Sequence, residues 1–125
     1  MKVNYKLALT LLAGVVLGAA AVQGLHAQAK PKAYLVSESE VLNATDLASY
    51  TAAIVAVQKA AGGRSFGTRG KVVASVGDAP KRVGISEWDS LEQVQTYLNS
   101  EARKKVMGDG KAVKITRQYI VEAGN

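Results

Sequence analysis

One acidic residue lies where general-base chemistry could be done. Glu87 follows Ile85 on one face of a predicted strand that should be central in its sheet. A carboxylate buried there needs a cationic partner, and the candidates are Arg64, Arg69 and Arg117. Two interpretations remain open, a structural ion pair and a catalytic general base, and Glu87 is the best candidate for the second.

Arg64 and Arg69 lie in a glycine-rich segment, Gly62 to Gly70, which suggests a phosphate-binding loop by composition alone. It has no Gly-Lys-Ser/Thr sequence, and it follows a predicted helix instead of opening one. The glycines are explained more simply as a helix end and a bend. The two guanidinium groups could still bind a ligand carboxylate through paired hydrogen bonds, or they could pair with local acids or with a partner subunit.

The missing residue types exclude several chemistries. The chain has no Cys, and its single His, His26, lies in a segment that we expect to be removed. A mature chain without either residue cannot use Ser-His or Cys-His nucleophiles, zinc sites of the ordinary kind or histidine-ligated haem. We therefore expect no cofactor and no metal.

Met1 to Ala29 has the pattern of a secretory signal peptide. Lys2 and Lys6 precede an uncharged run from Leu7 to Leu25, and the segment ends in His26-Ala27-Gln28-Ala29. Cleavage before Lys30 would give a periplasmic or secreted protein with no membrane attachment. The alternative is an uncleaved anchor, since the run approaches the roughly 20 apolar residues that span a bilayer.

Charge argues against a nucleic-acid partner. Removing Lys2 and Lys6 leaves 14 basic and 10 acidic residues, so the formal net charge falls from +6 to +4. This excess is mild and forms no basic stripe. Without disulfides, about 96 residues must fold on core packing alone, and a homodimer would add buried surface.

Hydrophobic periodicity predicts six elements after a linker over residues 30–32, in one domain over residues 33–125. They are strands over Ala33 to Leu42, Arg64 to Val76, Arg82 to Trp88 and Thr116 to Glu122, with helices over Asp46 to Ala61 and from Ser90 through Ala102 to a solvated tail at Arg103-Lys104-Lys105. In the second helix, the spacing predicts a buried stripe of Leu91, Val94, Leu98 and Ala102. A turn at residues 77–80 would make the middle strands a hairpin.

Turn and cap residues support these boundaries. Asn43 or Thr45 can cap the first helix, and Ser90 with Gln93 matches a capping box for the second. The order βαββαβ is the ferredoxin-like pattern of the α+β class, a four-stranded antiparallel sheet with two helices on one face. The other face needs a cover, and a second copy would supply it in a dimeric α/β barrel.

Several segments resemble a known bacterial family, the uncharacterised domain of unknown function 1330, in the dimeric α/β-barrel superfamily. The resemblance covers nearly all of Ala33 to Glu122. It implies the fold and a homodimer but no reaction, because this fold hosts many activities. It also implies a ligand pocket between sheet and helices, which Tyr34 and Tyr50 would line. The matching segments are Ala33-Tyr34-Leu35-Val36, Tyr50, Gly62-Gly63-Arg64-Ser65-Phe66-Gly67-Thr68-Arg69-Gly70, Pro80-Lys81-Arg82-Val83 and Glu87-Trp88-Asp89-Ser90.

Three functions agree with these patterns. The first is an exported, noncatalytic dimer that binds a small organic molecule or has a structural role. The second is a cofactor-independent enzyme, similar to monooxygenases and isomerases of the same barrel, with Glu87 as its base. The third is a membrane-anchored interaction domain, if the signal is not cleaved. A pocket enclosed by Tyr50, Arg64, Arg69 and Glu87 would favour the first two.

Overall fold

The computed structural model describes residues 30–67, 70–108 and 110–124. The predicted signal peptide, Met1 to Ala29, lies outside these residues, and so does the predicted ligand-binding residue Arg69. Over the described ranges, no helix combines the length and the apolar character needed to cross a bilayer.

A single antiparallel sheet organises the described chain. The elements in chain order are β1 (Ala33–Val41), α1 (Ala44–Ala60), β2 (Arg64–Phe66), β3 (Arg82–Trp88), α2 (Leu91–Leu98), α3 (Glu101–Met107) and β4 (Val113–Glu122). The strands lie in the order β2-β3-β1-β4, and every neighbouring pair is antiparallel. This topology confirms the predicted ferredoxin-like fold of the α+β class.

The two ends of α1 follow from local chemistry. The Thr45 backbone N–H donates to Asn43 Oδ1 at 2.9 Å, so Asn43 is the cap. After the helix, Gly62 has a φ of +92°, a conformation that favours glycine. A Cβ on the buried Gly63 would lie 2.5 Å from ring atoms of Trp88, so the chain enters β2 directly against the indole.

The buried core lies at the end of the sheet where β1 begins. The indole of Trp88 and the ring of Tyr97 have centroids 4.7 Å apart, and the indole N–H donates to Ser86 Oγ at 2.9 Å. Toward the other end of β1, the residues beneath the helices are Ser37 and Ser39, which are polar. The buried cluster consists of Ala33, Leu35, Trp88, Val94 and Tyr97.

The predicted strand from Arg64 to Val76 is wrong beyond Phe66. Residues 71–76 lie outside the sheet, and Val76 is 91% exposed. The register pairs Phe66 with Ile85, and continuing it would place Lys71 opposite Pro80, which has no N–H to donate. The register that brings Gly63 against Trp88 therefore leaves a long connection where a tight hairpin was expected.

The predicted second helix is two helices. The Ser100 hydroxyl donates to Tyr97 O at 2.7 Å, and the Arg103 backbone N–H donates to Ser100 Oγ at 3.3 Å. Ser100 thus ends one helix and caps the next. Ala102, predicted to be buried, is exposed, whereas Arg103, predicted to be solvated, is half-buried and donates to Gln118 Oε1 at 3.2 Å.

Candidate functional site

The side chains of β3 give the two faces of the sheet different chemistry. Successive side chains of a strand point to opposite faces. Trp88 and Ser86 are buried beneath the helices, so Glu87, Ile85 and Val83 point to the open face, which has no helices. The polar or small residues Arg82 and Gly84 lie on the helix side, where both line a cavity.

Glu87 is the centre of a cluster on the open face. Lys32 Nζ donates to Glu87 Oε1 at 2.7 Å, Arg64 Nη2 donates to the same oxygen, and the Tyr34 hydroxyl lies 3.4 Å from Oε2. The carboxylate side chain is 14% exposed. Arg117, another candidate partner, pairs with Glu38 at 2.6 Å instead. The structure thus brings together Glu87, Arg64 and Tyr34.

The surroundings of Glu87 suit an ion pair better than a base. The hydrogen bond from Lys32 lowers the pKa of Glu87 below its ordinary value of 4.5, burial opposes this, and the charge of Arg64 adds to it. A general base works best when its pKa lies near the operating pH. An ionised carboxylate with donors on both oxygens is a weak proton acceptor, and this favours the structural interpretation.

Tyr50 lies on the other side of the sheet, beneath the helices. Its hydroxyl donates to Met107 Sδ at 3.1 Å. Burial raises the pKa of Tyr50 above its ordinary 10.0, and the charges of Arg82 and Arg103 partly oppose that rise. Among the described residues, Tyr50 therefore shares no pocket with Arg64 and Glu87.

Tyr50 instead lines a cavity of about 390 Å³ between α1, α3 and the start of β4. This outer cavity is in the size range of ordinary small-molecule sites. At its rim, Asp46 and Lys111 carry opposite charges and are exposed. Most of the remaining wall is apolar and is formed by Ala53, Val106, Met107, Ala112 and Val113.

A second, inner cavity of about 60 Å³ lies deeper between the helices and the sheet. It shares Tyr50 and Met107 with the outer cavity, so the two spaces adjoin at these two residues. Its lining is unusually polar for the interior of a small domain. The polar lining residues include Gln58, Arg82, Tyr97, Arg103 and Gln118.

Neither Arg82 nor Arg103 is among the site residues that the sequence predicts. The position of Arg82 could have been inferred, because strand alternation from a buried Trp88 places it beneath the helices. No comparable pattern locates Arg103, since its position depends on the helix break at Ser100. Within the residues that the structure describes, no group of three or more His, Asp or Glu side chains could hold a metal ion.

Solved structures of similar fold come from proteins of low sequence identity. A protein of unknown function from Rhodopseudomonas palustris has a TM-score of 0.56 and 12% identity over 84% of this chain and 90% of its own. Its methylated form has a TM-score of 0.56 and 11% identity over 86% of this chain and 90% of its own. At these identities the likeness concerns the fold alone.

A proposed antibiotic biosynthesis monooxygenase from Chloroflexus aurantiacus has a TM-score of 0.44 and 14% identity over 75% of this chain and 94% of its own. No curated protein is similar enough to count as a relative. The family model described as domain of unknown function (DUF1330) matches residues 32–124, which is most of the sequence. The chain therefore belongs to the DUF1330 family.

Proposed function

We propose that this protein is an exported, homodimeric protein that binds a small organic molecule. The observation that carries the binding role is the outer cavity of about 390 Å³, which has apolar walls and adjoins a polar inner cavity at Tyr50 and Met107. Concave sites of this size, mostly apolar with a few convergent polar groups, are typical of ligand pockets. We do not extend the proposal to catalysis, because the environment of Glu87 suits an ion pair.

Export is supported by the sequence of Met1 to Ala29. A basic start, an apolar run and small residues at Ala27 and Ala29 are the features that a signal peptidase recognises. The mature chain would begin at Lys30 and act in the periplasm or outside the cell. The family match begins at residue 32, after the proposed cleavage point.

The open face of the sheet supports the homodimer. Phe66, Tyr119 and Val121 on this face are large hydrophobic residues that are 41–48% exposed, and contiguous apolar surface of this kind marks interaction sites. A second copy suits it because the face carries both charges, in the Glu38–Arg117 pair and at Glu87. A two-fold axis brings one surface against itself, so a self-complementary surface favours that partner.

Mass spectrometry of the exported protein tests the proposal. Under denaturing conditions, the intact mass should correspond to a chain that starts at Lys30. Under native conditions, a small molecule should accompany the protein and be lost in Ala53→Phe, which fills the outer cavity. Ala56→Phe is the matched control, because Ala56 is an exposed residue of the same helix.

Each part of the proposal has its own contrary result. A species that still starts at Met1 contradicts export with cleavage. A bound molecule that Ala53→Phe retains as fully as Ala56→Phe contradicts binding in the outer cavity. Circular dichroism of both variants shows whether they are folded.

A further inference from the structure

We infer that the ligand is an amphipathic monocarboxylate, whose carboxylate lies between Arg82 and Arg103 in the inner cavity and whose apolar part fills the outer cavity. This inference rests on the proposed binding function and adds the chemical class of the ligand. It depends on two half-buried Arg side chains whose hydrogen-bond partners, within the part of the chain that the structure describes, are all neutral.

Arg82 has weak partners for a charged group. It donates to Ser39 Oγ and to Thr51 Oγ1, both at 3.3 Å. Hydrogen bonds from a guanidinium to a carboxylate are about 2.7–2.9 Å long and roughly twice as strong as neutral ones. Arg82 is therefore held in place beneath the helices, but its charge is not neutralised by these hydroxyl groups.

Arg103 has the same kind of surroundings. It donates to Leu98 O at 3.3 Å and to Gln118 Oε1 at 3.2 Å, and its guanidinium carbon lies 5.9 Å from the centre of the Tyr97 ring. These contacts orient the side chain toward the sheet. None of them supplies a negative charge.

Four acids in the described part of the chain form ion pairs with other cations. Those pairs join Glu38 to Arg117, Glu40 to Lys81, Glu87 to Lys32 and Arg64, and Glu101 to Lys104, and none of them includes Arg82 or Arg103. Two partly buried cations with no acidic partner among the described residues are costly. One anion bound between them offsets that cost, and a planar carboxylate matches the guanidinium geometry.

Space for the carboxylate exists because β3 has a glycine beneath the helices. A Cβ on Gly84 would meet no atom within 4 Å, and this gap contributes to the inner cavity. The Tyr50 hydroxyl now donates to Met107 Sδ, which is a weak acceptor. It could turn to a carboxylate oxygen, and its pKa responds to the charges of both Arg82 and Arg103.

The rest of the ligand would lie in the outer cavity. The two cavities meet at Tyr50 and Met107, and the unbranched Met side chain adapts readily to a new neighbour. The walls formed by Ala53, Val106 and Val113 favour an alkyl or aryl group. A single negative charge at one end and an apolar body at the other describe the ligand class.

The test compares two probes of nearly equal shape, 4-phenylbutyrate and 4-phenyl-1-butanol, by titration calorimetry with the mature protein. We expect the acid to bind at least tenfold more tightly than the alcohol. Arg82→Gln and Arg103→Gln should each weaken the acid at least tenfold and change the alcohol less than twofold. Lys81→Gln and Lys104→Gln are matched controls, since each removes the same charge from the adjacent exposed position, and they should leave both affinities unchanged.

Side-chain NMR of the wild-type protein tests the inference without relying on the folding of any variant. In the ¹⁵N-labelled wild type, the Nε–Hε resonances of Arg82 and Arg103 should shift on addition of the acid, while that of Arg117 should not. Equal affinity for acid and alcohol, equal effects of the Arg and Lys substitutions, or unshifted Arg82 and Arg103 resonances would each overturn the inference. An uncharged molecule found by native mass spectrometry would overturn it too, yet would leave the proposed binding function intact.

Discussion

At the scale of single residues, the Glu87 cluster follows directly from strand pairing. Arg64 in β2 and Tyr34 in β1 are the residues opposite Glu87 in the two neighbouring strands. Side chains directly opposite one another on the same face are close enough to interact. Lys32, just before β1, completes the cluster. The Glu87 carboxylate therefore links β3 to β2 and to the start of β1 on the open face.

Glu87→Gln should make the stability of the protein less dependent on acid pH. The pKa of Glu87 is lowered in the folded state, so its ionised form stabilises the fold above its ordinary pKa of 4.5 and this contribution is lost as the pH falls through the lowered value. The pKa of Lys32 is raised from 10.5, so its contribution is present below that value and is lost only as the pH rises through the raised one. The difference in Tm between wild type and Glu87→Gln should therefore be largest near neutral pH.

Thermal unfolding of both proteins from neutral pH down to about pH 3 measures that difference. Glu122→Gln is the control, because Glu122 is exposed in β4 and is in none of the ion pairs described above. A gap between wild type and Glu87→Gln that does not narrow in acid would show that the ion pair has no pH-linked role.

The side-chain contacts on the two faces of the sheet differ in how far the sequence predicts them. The expected turn at residues 77–80 would place Gly70 opposite Glu87, so only the need of Glu87 for a nearby cation, with Arg64 among the candidates, could be predicted. The pairing of Arg82 and Arg103 around one cavity could not, since Arg82 belongs to β3 and Arg103 to a helix whose start is set by a cap. Contacts between elements depend on packing geometry that spacing along the chain does not contain.

At the scale of elements, capping residues decide where the helices begin. The predicted caps at Asn43 and Ser90 are confirmed: the Gln93 backbone N–H donates to Ser90 Oγ at 3.2 Å. Ser100 caps α3 in the same way, and that cap was not predicted. Without it, the apolar spacing from Leu91 through Leu98 to Ala102 favours one continuous helix.

Ser100→Ala should destabilise the protein by about 0.5–2 kcal/mol, the usual range for loss of a helix N-cap. The hydroxyl both accepts from the Arg103 backbone and donates to Tyr97 O, so both contacts are lost together. Urea unfolding measures the change in the free energy of unfolding. Ser75→Ala, in an exposed part of the connection between β2 and β3, should change it by less than about 0.5 kcal/mol. Equal effects of the two substitutions would contradict the cap.

The strands show the same division between local and long-range determinants. β1 and β4 lie close to their predicted positions because alternation and β-branched residues are local properties. The segment from Lys71 to Val76 has the same local properties and yet forms no strand. Whether this segment joins the sheet depends on the register between β2 and β3. That register is fixed by the contact of Gly63 with Trp88, which lies far along the chain.

At the scale of the whole molecule, the part of the sheet beyond the Trp88 core has an unusual distribution of polar and apolar side chains. Apolar and aromatic residues such as Val83, Ile85 and Phe66 lie on the face without helices, whereas Arg82 and Arg103 lie beneath the helices. In an isolated antiparallel sheet with one exposed face, the opposite arrangement is usual. The distribution is consistent with an open face that a second copy covers and an interior that holds a charged ligand.

Tyr119→Asp should convert the proposed dimer to a monomer. Tyr119 is 42% exposed on the open face, and the Arg117 guanidinium lies 5.6 Å from its ring centre. The change therefore removes an aromatic ring and puts a charge on the apolar surface, where burial in an interface would be costly. Loss of an aromatic anchor typically costs about 2 kcal/mol or more in an interface, which corresponds to roughly a thirtyfold increase in the dimer Kd. Sedimentation velocity over a range of concentrations measures that Kd.

Val76→Asp makes a similar change at a residue 91% exposed outside the sheet, and it should leave the dimer intact. A wild-type chain that sediments as a monomer would contradict the dimer. A Val76→Asp protein that dissociates as readily as Tyr119→Asp would contradict an interface on the open face.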